Sequence, residues 1–384
     1  LGWFKALPHT IFHNRPVLNI EYVGALLSTG KTDNVEMRLL EIEQLLKSIE
    51  GSRMPSDIVV VNKQEYHRLH GWIALYRAGL SLSYDSIPNA VMFAQHVLDV
   101  VPDNDHMFRG AGAAIIGLAS WTEGNLEVAY QSYANGMAHL QKAGNISDAV
   151  GGSLGLADIR IVQGRLREAH RIYERALELA TSHNEPQMRG TADMYVGLCE
   201  INRQYNNLPR AEQYLLKAKE QGDHTGFPQN PYRWRVAMAH LHKARGDLDG
   251  ALALLHEAEH LYVSDFYPNV CPVTALKVRV WIALGRLDEA FVWVREQGLS
   301  VDDDVSYLHE FEHITLVRVL LAQYKYNSDN NIIIGALNLL NRLLQAASSG
   351  ERTGSMIEIL ILQALAYQMQ HAFAPALAAL EYAI

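Results

Sequence analysis

The chain has 384 residues, with 33 Lys and Arg against 42 Asp and Glu, so its net charge at neutral pH is −9. Hydrophobic residues make up 49% of it, which excludes a disordered chain. The acidic balance provides no basic field for phosphate backbones, so we do not expect this segment itself to bind nucleic acid. No apolar run has the length that crossing a bilayer requires, and the only cysteines are Cys199 and Cys271. These features predict a soluble, cytoplasmic protein without a membrane partner.

One short pattern recurs along the chain: a Gly or Asn hinge, a large apolar residue two positions later, and Ala three positions after that. Weaker copies have Ile87, Ile333 and Phe373 as the large residue, and a degenerate copy begins at Gly30. The clearest copies, whose large residues are 39–42 positions apart, begin at Gly124, Gly164, Asn206, Gly246 and Gly285. Such regular self-similarity is typical of a repeat architecture.

Each copy separates two stretches of about fifteen residues with the apolar period of a helix, which is the pattern of a helical hairpin. A hinge glycine can end the first helix in the left-handed conformation. The sequence therefore predicts an all-α fold, a right-handed superhelical solenoid of about nine hairpins of the tetratricopeptide (TPR) kind. We expect one repeat domain over residues 1–384, with residues 1–20 as a leading segment and 21–384 as the repeats. Because the chain starts at Leu1 and stops at Ile384 within a periodic segment, we also expect it to be part of a longer protein.

A phosphate-loop motif is spelled by Ala25 to Thr32, with Gly30-Lys31 at its centre. A phosphate loop needs a preceding strand and glycines whose amides wrap the phosphates, whereas here a helical pattern leads into the motif. A repeat turn is the favoured interpretation. For Gly110-Ala111-Gly112 and Gly151-Gly152, which lie in helical segments, we favour close helix packing over phosphate binding.

Two segments, His256 to His260 and His309 to His313, spell His-Glu-x-x-His. On a helix this spacing places both imidazoles on one face, as in zinc proteases. Both segments carry Glu at the fourth position and neither has a recognisable third ligand, although Glu351 and Glu358 are candidates. A solvated helix face rich in His and Glu is the favoured interpretation, and a metalloenzyme is the alternative. The segment is thus expected to be non-catalytic, with no metal and no cofactor.

In a solenoid the first helix of each hairpin lines the concave surface, and equivalent positions form rows. Six residues before successive hinges lie Leu118, Asp158, Glu200, His240 and Arg279, and neighbouring turns add further polar positions. We predict a polar groove with aromatic patches for a small effector or a partner peptide. For Tyr173, Tyr195, Tyr214 and Trp281 we favour core packing. The predicted groove residues are Trp121, Asp158, Asp193, Glu200, Arg203, Arg233, His240, Lys243 and Arg279.

The N-terminal string Trp3-Phe4-Lys5-Ala6-Leu7-Pro8, followed by Arg15-Pro16-Val17-Leu18, resembles the start of the sensor region in MalT-like transcriptional regulators. These are large LuxR-type activators with an ATPase. The repeats of about forty residues also resemble that family, so the resemblance covers essentially the whole chain. It implies that Arg-Pro-x-Leu opens the first repeat helix. It further implies a full-length order of ATPase, winged helix, TPR sensor and C-terminal helix-turn-helix.

The resemblance leads to one principal hypothesis and one alternative. The principal hypothesis is a signal-sensing TPR segment of a bacterial transcriptional regulator, which binds a small-molecule effector or a regulatory protein and so controls the ATPase and DNA-binding parts. Other domains of the regulator, and a second copy in a homo-oligomer, are possible partners, and DNA would be bound only through the C-terminal helix-turn-helix. The alternative is a generic TPR scaffold that docks a protein partner and has no small-molecule role.

Overall fold

The computed structural model describes residues 2–27, 32, 34–49, 57–84, 86–182, 188–263 and 266–384. The predicted hinge and phosphate-loop residues Gly30 and Lys31 lie outside these ranges. Within them the chain contains helices and no β-strand, which confirms the all-α prediction. In chain order the helices are α1 (Gly2–Ala6), α2 (His9–His13), α3 (Pro16–Leu27), α4 (Val35–Ile49), α5 (Lys63–His67), α6 (Leu69–Ser83), α7 (Ile87–Val100), α8 (His106–Thr122), α9 (Leu126–Lys142), α10 (Ile146–Val162), α11 (Leu166–Ser182), α12 (Thr191–Gln204), α13 (Leu208–Thr225), α14 (Asn230–Ala244), α15 (Leu248–Leu261), α16 (Val273–Ala283), α17 (Leu287–Glu296), α18 (Glu310–Asn327), α19 (Asn330–Ser349), α20 (Thr353–Met369) and α21 (Phe373–Ala383).

Nine consecutive helix pairs form hairpins in the described part of the chain: α3/α4, α6/α7, and then each pair from α8/α9 to α20/α21. The first begins at Pro16, where the Arg-Pro-x-Leu string predicts a helix start, because proline is well suited to the first turn of a helix. The structure divides into two compact units. Unit 1 comprises residues 1–119 and 132–145, and unit 2 comprises residues 120–131 and 146–384. The prediction of one continuous domain stays a prediction.

The hinges have the backbone conformation that the sequence pattern predicts. All five clear copies are left-handed, from φ 58° at Asn206 to φ 83° at Gly124 and Gly246. The alanine of each copy is buried, and in these five copies it is completely inaccessible to solvent. The hinge therefore ends one helix, and the small side chain of alanine lets the next helix pack closely against it.

The same pattern also occurs between hairpins, where it was not predicted. Gly144-Asn145-Ile146-x-x-Ala149 joins α9 to α10, with φ 81° at Gly144 and a buried Ala149. The pattern thus marks a tight helix-to-helix turn in general, rather than only the turn inside a hairpin.

Unit 1 has its core between the first two hairpins and the short helices that precede them. Phe12 and Tyr22 stack with ring centroids 5.1 Å apart, and Phe4 stacks on Tyr22 at 5.0 Å. The Arg38 guanidinium lies 4.4 Å from the centroid of Tyr22 and donates to Asn19 Oδ1 at 3.0 Å. This buried arginine is thereby satisfied by an aromatic face and an amide oxygen.

Unit 2 has a series of apolar clusters, each shared by neighbouring hairpins. Tyr173 is fully buried in the cluster of α10 to α12, as predicted for a core position. Tyr195, Tyr214 and Trp281 are partly buried and pack against such clusters. Because each cluster spans a hairpin boundary, adjacent hairpins of unit 2 stabilise one another, as in other repeat proteins.

Gly136 in α9 lies at a close approach of α8 and α9 in unit 1. A Cβ at Gly136 would lie 2.8 Å from the Gly110 carbonyl oxygen and 2.9 Å from the Ala114 nitrogen. Because both are backbone atoms, we expect Gly136→Ala to lower the free energy of unfolding by about 1–3 kcal/mol. Gly79 in α6 is the control: its Cβ would meet nothing within 4 Å, so Gly79→Ala should be neutral or stabilising by up to about 1 kcal/mol. Urea unfolding of both variants measures the difference, and equal effects would contradict this packing.

Candidate functional site

A cavity of about 370 Å³ lies on the inner face of unit 2. Its walls come from α8, α10, α12 and α14, and from the loop that joins α15 to α16. Six of the predicted groove residues line it: Trp121, Asp158, Asp193, Glu200, Arg233 and His240. Trp121 is only 4% exposed, so it forms part of the wall rather than an open aromatic patch.

A second cavity, of about 570 Å³, adjoins the first. Glu200 and His240 line both cavities, and Arg203, Lys243 and Arg279 line the second. All nine predicted groove residues therefore lie on the two cavities, because counting back from the hinges selects one face of successive first helices. That they bind a ligand stays a prediction. We call the two cavities together the groove.

The first helices of six consecutive hairpins line the larger cavity of the groove, and a seventh, α8, adds Trp121 to the smaller one. The larger cavity receives residues from α10, α12, α14, α16, α18 and α20. A ligand in it would touch six hairpins at once. The space suits a small molecule or a short peptide, given that ligand pockets usually measure about 300–1,000 Å³.

Asp193 and Arg233 form the charged pair of the smaller cavity. The Asp193 side chain is inaccessible to solvent, its Oδ2 accepts a hydrogen bond from the backbone N–H of Phe227 at 2.8 Å, and its Oδ1 lies 3.6 Å from Arg233 Nη1. Burial raises the pKa of Asp193 above its usual value, although Arg233 and the Phe227 amide partly oppose the effect. Asp193 thus anchors the backbone that enters α14.

Glu200 is the carboxylate shared by both cavities. It accepts a hydrogen bond from Arg203 Nε at 2.9 Å, and one of its oxygens lies 3.3 Å from His240 Nδ1. Burial alone would raise the pKa of Glu200, but Arg203 and His240 outweigh burial and hold the pKa well below its usual range. Glu200 is therefore an ionised acceptor whose lone pairs are already directed at two neighbours.

Arg279 is held in the wall of the larger cavity. Its Nη1 lies 2.9 Å from Glu358 Oε1, its Nε donates to Thr315 Oγ1 at 2.8 Å, and its guanidinium carbon lies 3.6 Å from the Phe311 ring centroid. Glu358 also pairs with Arg318 Nη2 at 2.9 Å. Arg279 is thus a fixed part of the site rather than a free cation.

Several residues that line the groove were not predicted from the sequence. Glu358 could have been found, because it lies thirteen residues before the left-handed hinge residue His371, as Asp193 does before Asn206. Tyr262 and Tyr267 carry no such signal, because they lie in the loop after α15 rather than on a repeat helix. Tyr267 lies 5.6 Å from Trp121 between ring centroids.

Within unit 2, the ends of this series of hairpins contact one another. Trp121 Nε1 donates to the Tyr307 hydroxyl at 3.1 Å, and both side chains are buried. A Cβ at Gly164, in the turn after α10, would lie 3.2 Å from Thr353 Cβ at the start of α20. We call these contacts the seam; its residues are Trp121, Gly124, Gly164 and Arg165 on one side and Tyr307, Glu351, Arg352 and Thr353 on the other.

The two His-Glu-x-x-His segments differ in the structure. His256, Glu257 and His260 are exposed, in line with the solvated-face interpretation. For the second segment that interpretation is wrong at Glu310 and His313, which are 4% and 2% exposed, whereas His309 is exposed; Glu310 is buried where it pairs with Arg352 of the seam.

The side chains of the two segments have other partners. Glu257 pairs with Arg235 at 2.7 Å, His313 Nε2 lies 3.3 Å from Asp303 Oδ2, and Glu310 pairs with Arg352. Among the residues that the structure describes, no three His, Cys, Asp or Glu side chains are grouped so as to hold a metal ion.

Within the described ranges, no helix combines the length and the apolar content that spanning a bilayer demands. Comparison with curated proteins yields no match.

Several solved structures share this fold at low sequence identity. The Rap protein complexed with competence and sporulation factor is 13% identical, with 96% of this chain and 97% of that chain covered and a TM-score of 0.63. The apo quorum sensor NprR from B. thuringiensis is 12% identical, with coverages of 95% and 96% and a TM-score of 0.56. The human IFIT1 dimer with m7Gppp-AAAA is 14% identical, with coverages of 94% and 80% and a TM-score of 0.50. At such identities the likeness concerns the fold alone.

The family described as the MalT-like TPR region matches residues 71–384, which include every groove residue and the whole seam. The match confirms the resemblance seen in the hinge pattern, and the N-terminal string Trp3 to Leu18 lies before the matched residues. The chain belongs to the MalT-like TPR region family.

Proposed function

We propose that this chain is the signal-sensing segment of a LuxR/MalT-type transcriptional regulator, and that it binds an effector in the groove of unit 2. The observation that carries the proposal is that the first helices of six hairpins line one cavity, and that the two ends of this series of hairpins meet at the seam. In this proposal the segment is cytoplasmic and non-catalytic, needs no cofactor of its own, and controls the ATPase and the DNA-binding parts of the full-length protein.

The seam supplies the two states that a sensor needs. An effector that touches six hairpins changes the angles between them, and the seam either stays closed or separates. Binding shifts this equilibrium only if the effector prefers one state, since equal affinity for both states shifts nothing. The contacts at Trp121–Tyr307 and at Arg165–Glu351, the latter 3.5 Å apart, are those that opening would break.

A disulfide across the seam tests this mechanism. In the double variant Gly164→Cys/Thr353→Cys the two Cβ atoms would lie 3.2 Å apart, slightly closer than the separation of about 3.5–4.5 Å usual for a disulfide, and the cysteine introduced at position 164 would have to keep the left-handed φ of 74°. We expect the low-molecular-mass fraction of a bacterial extract to change the small-angle scattering and melting temperature of the wild-type chain. The oxidised double variant should lose the scattering change.

The reduced form of the same double variant is the matched control and should respond like the wild type. If neither the extract nor the isolated ATPase domain alters the wild-type scattering or melting temperature, the sensor function is wrong. If the oxidised variant still changes its scattering, ligand sensing stands but does not act through the seam.

A scaffold that docks a protein partner remains the alternative function. The size of the two cavities, about 370 and 570 Å³, favours a small ligand, because it lies in the usual range of small-molecule pockets. A partner recovered with the wild-type chain and lost in Arg233→Glu would support the scaffold. Arg279→Glu is a poor probe of it, because the arginine holds Glu358 and Thr315 in place.

A further inference from the structure

The larger cavity holds three carboxylates, and arginine pairs with every one of them. Glu200 pairs with Arg203 and Glu358 with Arg279. The third carboxylate belongs to Glu310, which is 4% exposed. Two arginines that do not line the cavity also pair with its carboxylates: Arg352 with Glu310 at 2.8 Å, and Arg318 with Glu358 at 2.9 Å.

Lys243 in α14 is a cation of this cavity that none of the three carboxylates pairs with. Among the described residues no carboxylate pairs with its ammonium group, and its side chain is exposed where it lines the cavity. Partial desolvation by the surrounding protein lowers the pKa of Lys243, and the nearby Arg279 and Arg318 lower it further against an opposing effect of Glu358. With Arg318 and Arg352 counted beside the lining residues Arg203, Lys243 and Arg279, five cations stand against the three carboxylates of this cavity, so the charge balance is positive.

Two further groups of donors face the same space. Arg203 uses Nε and Nη2 on Glu200, and its Nη1 has no hydrogen bond among the described residues. The first turn of the 17-residue helix α20 supplies Gly354 and Ser355 to the lining, and this turn contains no acidic residue and no side-chain cap. The exposed N–H groups and the dipole of a helix N-terminus favour an anion, which adds to the effect of Lys243.

We propose that the larger cavity is an anion subsite, in which Lys243 Nζ and Arg203 Nη1 bind a carboxylate or phosphate group of a small molecule. The smaller cavity, lined by Trp121, Tyr232 and Tyr267, receives the less polar part of the same ligand. This inference rests on the proposed function and narrows the effector to a small anionic molecule.

Inorganic phosphate and succinate are the probes that test the subsite, each titrated at constant ionic strength against sodium chloride. We expect both to stabilise the wild-type chain saturably in thermal unfolding. In Lys243→Met the apparent affinity should fall by about tenfold or more, because a hydrogen bond to a charged group is lost. Lys142→Met, at an exposed position of α9 outside the groove, is the control and should bind like the wild type.

A second readout follows Lys243 itself. After reductive methylation with carbon-13 the dimethylammonium signal of Lys243 should titrate below the usual range of lysine, and saturating phosphate should raise its pKa. Equal stabilisation of Lys243→Met and wild type would show an adventitious ion only and overturn the subsite. So would a Lys243 signal that phosphate leaves unmoved. An extract-dependent scattering change that Lys243→Met retains in full would also overturn it, while leaving the sensor function intact.

Discussion

Replacing Arg352 by alanine is expected to lower the free energy of unfolding by about 3–5 kcal/mol, the usual cost of removing one partner from a buried ion pair. Arg352 and Glu310 are each 5% exposed in their side chains, and Nη2 of the arginine lies 2.8 Å from Oε2 of the glutamate. The variant leaves a carboxylate without its counterion at the seam. Urea unfolding measures the loss, and hydrogen exchange should show it concentrated in α18 and α20.

Two further variants separate the buried charge from a general effect of losing arginine. Arg245 and Glu212 form an exposed pair, with side chains 43% and 41% exposed, so Arg245→Ala should cost less than about 1 kcal/mol. Adding Glu310→Gln to Arg352→Ala removes the orphaned charge and should recover part of the loss. If Arg352→Ala costs no more than Arg245→Ala, the pair does not hold the seam.

Replacing Tyr173 by alanine should cost about 3–5 kcal/mol, as for other large aromatic side chains removed from a core. Tyr173 is fully buried, and its hydroxyl donates to Asp158 Oδ1 at 3.1 Å. Its ring also packs against Gly197, where an added Cβ would overlap the Tyr173 hydroxyl. The loss therefore combines a large cavity with a broken hydrogen bond.

The matched variant Tyr173→Phe keeps the ring and removes only the hydroxyl. We expect it to cost about 0.5–1.5 kcal/mol, the net value of one hydrogen bond. Equilibrium unfolding of the two variants thus divides ring packing from hydrogen bonding. Similar losses in both would contradict the packing of the ring between α10 and α12.

The hinges and the lining of the groove were predictable from the sequence because both are local. A position with a left-handed backbone, such as Gly164 or Asn206, is usually occupied by Gly or Asn, and the whole hinge pattern spans only six residues. The groove follows from the hinges, because a fixed count back along a helix returns to the same face. Asp158 and His240 were found in this way.

The pairing of charges and the seam were not predictable. Counting placed Glu200, Arg203 and Lys243 on one surface but gave no distances, so it could not tell which cation lacks a partner. The seam joins residues 186 positions apart, at Trp121 and Tyr307. Their meeting depends on small angles accumulated over successive hairpins, and no local sequence pattern records those angles. The unexpected burial of Glu310 has the same cause, because Glu310 pairs with Arg352 of the seam.

In unit 2 the seam closes a series of rigid hairpins, so the two ends of the series are held together. A rotation of a few degrees at one hairpin boundary would change the local contacts very little. Equal rotations at successive boundaries add up, however, and would separate the two sides of the seam. Substitutions in the apolar clusters between hairpins, far from any ligand, should therefore shift the threshold of the response. Variants that alter signalling without touching the groove are expected there.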